Sequence, residues 1–176
     1  MVRKNDNNEK SIRDITLRAL LVALAMVLSW IEAQIHLSVM VPGMKIGLTN
    51  LVVMVALYKM SEKDAIFINV IRILLVSITF GNMFSFMYSL AGGLLSGIVM
   101  IILKKTGKLS MTFVSVAGGI AHNIGQIIVA MFVMKTTALL YYLMVLWASG
   151  IVAGIVIGVV SAEVVRRIPA NAFRTE

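Results

Sequence analysis

"ALLYYLMVLWASGIVAGIVIGVVSAEVV", residues 138–165, meets no charged side chain until Glu163. A bilayer core about 30 Å thick needs roughly 20 apolar residues in a helix, and this run exceeds that. It is apolar on every side. A strand of a membrane barrel would instead alternate lipid-facing and lumen-facing residues. Backbone groups in lipid must bond within their own segment, so the run is a helix. Gly150, Gly154 and Gly158 recur every four residues along one face. Small residues at that spacing let two helix backbones approach closely. Packing inside one bundle is the first reading of that face, and contact with a partner subunit is the alternative.

Working outward, five more apolar segments precede this one. They run from about Ile15 to Leu37, Ile46 to Met60, Asp64 to Phe80, Met83 to Leu103 and Ser110 to Met134. The second is short for a crossing. Gly93 and Gly97 on segment four, and Ala117, Ala121 and Gly125 on segment five, repeat the small-residue spacing. Across 176 residues, 60% are hydrophobic and 14% charged, and the mean hydropathy is +0.96. Soluble domains carry about a quarter charged residues. The expected fold is therefore all-α: a six-helix membrane bundle over residues 15–168. A polar segment, 1–14, precedes it and a short tail, 169–176, follows it. The run after Asp14 is long enough to span, so it reads as a retained helix and not as a cleaved signal.

The net charge of +8 could suggest nucleic acid. The basic residues, however, sit at the ends of apolar runs, which points to lipid and argues against a nucleic-acid partner. Placing both termini in the cytoplasm puts every basic residue there except Lys45, Lys135 and Arg72. That distribution obeys the positive-inside rule. It makes the chain a multi-pass protein of the cytoplasmic membrane. With no cysteine and two histidines, no metal site or cofactor is expected.

Polar groups at membrane depth are costly and mark function. Arg72 lies eight residues past Asp64, about 12 Å into segment three at 1.5 Å per residue, and Asn69 shares its face. His122 and Gln126 share a face of segment five, with Asn123 beside them. Glu32 and His36 end segment one, and Asn82 begins segment four. Glu163, one turn from Arg166 and Arg167, reads as an ion pair at the cytoplasmic end. Between segments one and two stands "MVPGMKIGLTN", residues 40–50. Pro42, Gly43 and Gly47 bend the chain. Amides at the start of segment two, near Lys45, could receive an anion, and Asn50 lies just inside. The expectation is an outward-facing pocket roofed by residues 38–50. Its lining would be Lys45, Asn50, Asn69, Arg72, Asn82, His122, Asn123 and Gln126. Its ligand would be small, with an anionic or strongly polar group.

Ala19 and Ala23 in "RALLVA" lie one turn apart in segment one. Together with the chain's size, its six spans and "PGMKIGLTN", they resemble the substrate-binding S components of energy-coupling factor transporters. More closely, the chain resembles the Gx transporter group, also labelled heptaprenyl diphosphate synthase component I. The resemblance covers about residues 12 to 168. It implies a substrate-capture subunit that works with a membrane T component and two ATPase subunits, and Ala19 and Ala23 would form part of the docking face. The chain has no G-x-x-x-x-G-K-[ST] motif of its own. The alternative is a membrane component associated with heptaprenyl diphosphate synthesis. Direct prenyl transfer needs clustered carboxylates for magnesium, whereas Asp6, Asp14 and Asp64 are dispersed, so no enzymatic activity is expected. A non-catalytic scaffold is the third reading. It would leave Arg72, His122 and the loop unexplained.

Overall fold

The computed structural model describes residues 2–35, 47–169 and 172–173, with side chains from residue 12 onward. Those residues form six helices: α1 (Val2–Gln34), α2 (Leu48–Lys59), α3 (Glu62–Thr79), α4 (Met83–Lys105), α5 (Met111–Met134) and α6 (Leu140–Arg167). No strand occurs among them. Four of the helices, α1 from Ile12 onward, α4, α5 and α6, are long and apolar enough to cross a membrane. The chain is an all-helical, multi-pass membrane protein. α1 begins at Val2, so the polar N-terminal segment continues the first helix.

Capping side chains explain several starts. Ser61 Oγ accepts from the Asp64 amide, and Asn82 Oδ1 accepts from Ser85 N–H at 2.8 Å. Ser110 Oγ accepts from Phe113 N–H at 3.2 Å. Each satisfies one amide that the first turn leaves open.

Neighbouring helices form a closed ring in the order α1, α3, α4, α5, α6, α2. The tightest seams join α5 to α4 and to α6. A Cβ on Gly154 would stand 2.6 Å from Val116 Cα, and one on Gly125 would stand 2.8 Å from the Ala91 carbonyl oxygen. Only glycine permits backbones so near. The glycine face of α6 therefore packs within the bundle, against α5.

The core lies around α2. Its residues from Val52 to Leu57 are all buried, whichever way they point. They pack with Leu21, Val22 and Ala25 of α1, Ala65 and Ile68 of α3, Met100 of α4 and Val114 of α5. A helix apolar all round needs this enclosure.

The start of α1, the α2–α3 turn, the α4–α5 turn and the end of α6 share one end of the bundle. Basic residues crowd it and are tied down there. Arg18 Nε pairs with Asp64 at 2.7 Å and Lys105 with Glu62 at 3.0 Å. Lys59 Nζ donates to the Ile168 carbonyl and Lys104 Nζ to the Leu57 carbonyl, both at 2.6 Å. Glu163 pairs with Arg166 and Arg167, each at 2.6 Å, as its spacing predicts.

Candidate functional site

A cavity of about 210 Å³ lies among all six helices. It runs from Glu32, near the end of α1, inward to Ser115 in the second turn of α5 and Ile157 of α6. Ser29, Thr49, Asn50, Ser77, Ser85, Ser89, His122 and Asn123 bring polar groups to its wall. Ile73 and Val76 of α3, and Phe80 just past its end, supply apolar surface.

Arg72 is the cavity's deepest charge carrier, 9% exposed. Its side chain is held on two sides. Nε and Nη2 donate to Asn69 Oδ1 at 3.3 and 2.9 Å, and Nη1 donates to Thr49 Oγ1 at 3.3 Å. Asn69 is itself fixed by donating Nδ2 to the Gly93 carbonyl at 3.0 Å. Gly93 must stay small here, because an added Cβ would stand 3.0 Å from Asn69 Nδ2. The guanidinium is thus aimed by α2, by its own helix and, through Asn69, by α4.

Glu32 is the cavity's carboxylate. Its Oε1 accepts from the Gly47 amide, and its Oε2 takes a long contact of 3.5 Å from Thr49 Oγ1. Gly47 caps α2 at φ 78, a left-handed conformation that glycine adopts freely. The sequence places an incoming anion at this helix start. In the structure the chain's own Glu32 meets the Gly47 amide, where the helix dipole favours negative charge. Thr49 stands between the two charges, receiving from Arg72 and donating toward Glu32.

Four of the eight sequence-expected lining residues face the cavity: Asn50, Arg72, His122 and Asn123. Asn123 also donates to the Leu146 carbonyl at 2.5 Å, pinning α5 to α6. Asn69 stands behind Arg72 as its support. Asn82 is exposed and spent on capping α4. Gln126 packs beside Gly92 of α4, away from the cavity lining. Lys45, His36 and most of the expected roof, residues 38–46, lie outside the described residues. Ala19 and Ala23 are exposed on α1. Thr49 and the serines of the wall escaped the sequence reading, although Thr49 belongs to the "GLTN" that drew attention to its neighbours.

Among the described residues no group of three or more His, Asp or Glu side chains gathers to hold a metal. The site offers one fixed guanidinium, one carboxylate and a wall of hydroxyls and amides. That set is chemically suited to hold a polar molecule by charge and hydrogen bonding.

The family model for heptaprenyl diphosphate synthase component I matches residues 21–164, and the chain belongs to that family. No curated protein and no solved structure matches it.

Proposed function

We propose that this chain is the substrate-capturing membrane subunit of an uptake transporter of the energy-coupling factor type, and that it has no catalytic activity of its own. The observation that carries the reading is the cavity: a buried, aimed guanidinium and a polar wall inside a membrane bundle. Burying Arg72 at such depth is costly, and a packing role alone would not demand open space in front of it. The basic end of the bundle supports a cytoplasmic position for both termini under the positive-inside rule. The cavity mouth, at the opposite end near Glu32, would then face outward from the cytoplasmic membrane.

Uptake against a gradient needs an energy source, and the sequence carries no nucleotide-binding loop. A T component and two ATPase subunits would supply it. The exposed small residues Ala19 and Ala23 suit close approach by another membrane helix.

A second reading comes from the family description, which names one component of a prenyl diphosphate synthase. Under it the chain would be a membrane partner of a catalytic subunit. One experiment separates the two. The tagged chain is extracted gently from its host, and the bound proteins and small molecules are identified by mass spectrometry. The transporter reading expects ATPases and a T component, lost when Ala19 and Ala23 are made bulky. Recovery of a soluble prenyl synthase without ATPases would replace it with the second reading.

A further inference from the structure

We propose that the cavity is built for a dipolar ligand, one that carries a carboxylate and a protonated amine on a small frame. This rests on the reading of the cavity as a capture site and adds the chemical class of what it captures. The carboxylate would lie on Arg72 and the amine on Glu32.

The argument starts from donors and acceptors. A guanidinium has five N–H donors. Three hydrogen bonds hold it, two to Asn69 and one to Thr49. Among the described residues, one N–H on each terminal nitrogen is left over, so two charged donors remain for a carboxylate. Glu32 is similarly half-used. A carboxylate accepts at about four positions, and among the described residues Glu32 receives from Gly47 and Thr49 alone. Both residues line the cavity.

Their separation sets the ligand's span. Thr49 Oγ1 stands 3.3 Å from Arg72 Nη1 and 3.5 Å from Glu32 Oε2. The two charges are therefore two hydrogen bonds apart, held off each other by one hydroxyl, and they form no direct ion pair among the described residues. A ligand that follows this path needs its own opposite charges a few bonds apart, as in an α- or β-amino acid.

Charge balance narrows the class further. The described lining carries one positive and one negative side chain. A simple anion on Arg72 would lie beside the Glu32 carboxylate. A simple amine on Glu32 would lie near the guanidinium. A diphosphate would bring several negative charges to a described lining that offsets one. Uncompensated charge is costly away from water. A dipolar ligand fills both half-used groups and adds no net charge.

The test uses the full-length chain in lipid nanodiscs. Thermal stabilisation and calorimetric affinity are measured for the protein amino acids and β-alanine. Each is compared with the carboxylic acid that lacks its amine and the amine that lacks its carboxylate. At least one dipolar compound should bind at least tenfold tighter than both of its counterparts. In Glu32→Gln, which keeps the shape, the preference should collapse: the amine-free acid should bind as well as the dipolar compound or better. The proposal is overturned if no dipolar compound binds, or if acids or amines bind the unaltered chain equally well. A chain that binds only non-dipolar molecules loses this proposal and keeps the capture reading. One that binds nothing in the panel and carries no small molecule from its host loses both.

Discussion

The two halves of the bundle are held together by different means. Helices α4 to α6 meet backbone to backbone through Gly119, Gly125, Gly150, Gly154 and Gly158. Helices α1 to α3 wrap the buried α2 and are joined at one end by side-chain hydrogen bonds, from Glu32 through Thr49 and Arg72 to Asn69. The glycine half has little freedom, since backbones in contact cannot be adjusted by changing a rotamer. The hydrogen-bonded half depends on polar groups that can exchange partners. The cavity lies between a stiff wall and a responsive one. Under the capture reading, the hydrogen-bonded wall is where binding would be passed on to the rest of the molecule.

The comparison breaks most readily at the glycine seam. Gly154→Leu should cost about 3 kcal/mol or more, because its first side-chain atom would already overlap Val116. The expected result is loss of monodisperse protein in size-exclusion chromatography and a collapsed melting temperature. Gly97→Ala is the internal control. Nothing stands within 4 Å of a Cβ there, so its melting should be unchanged or raised, by up to about 1 kcal/mol, the usual gain of Ala over Gly inside a helix.

On the responsive side, Arg72→Ala removes the donor from Asn69 and Thr49 and leaves Glu32 unbalanced. Stability should fall by about 2 kcal/mol, and, under the capture reading, affinity for the bound molecule should drop by about 100-fold. Arg72→Lys should recover part of the stability and little of the affinity, since an ammonium has no planar fork. Calorimetry on both variants reads the split.

Smaller effects belong to the basic end. Arg18→Ala breaks a pair with Asp64 that is partly open to water, and about 0.5–1 kcal/mol is expected by thermal melting. Smallest for folding are Ala19→Leu and Ala23→Leu. Both positions are exposed, so melting should move by less than about 0.5 kcal/mol. Under the transporter reading, these two nevertheless abolish recovery of the ATPases.

Much of the fold was legible because the bilayer sets a length scale that sequence displays directly. At the described ends the apolar runs and the observed helices differ by no more than two residues, except at the start of α1, which the polar segment extends back to Val2. The expected end at Leu37 and the expected start at Ile46 fall outside the described residues. Arg72 and Asn69 were legible for a similar reason: polar groups stand out in apolar helices, and a three-residue spacing puts them on one face. The rest of the site was harder. Thr49 is an ordinary residue at a helix start, and only the arrival of α1 and α3 gives it two charged neighbours. The wall serines are unremarkable in membrane helices, where small hydroxyl residues are common. Asn82 drew attention as a polar residue at the right level, but its position one residue before a helix made capping the stronger claim on it. Gln126 shares a face with His122, yet α4 passes close at Gly92 and takes up that space. The Glu32 contact with Gly47 spans fifteen residues of sequence, which helical periodicity does not reach.

One consequence of the short, enclosed α2 concerns how the protein is made. Its twelve residues extend about 18 Å as a helix, well short of a hydrocarbon core of about 30 Å. Emerging alone from the ribosome, it has no depth at which both of its ends reach headgroups. Its shelter comes from α1, α3 and α6. The order of synthesis delivers α1 first and α3 immediately after, across a turn capped by Ser61. Stable membrane integration of α2 therefore waits on the helices made after it, and a nascent chain truncated directly after α2 should leave it outside the lipid.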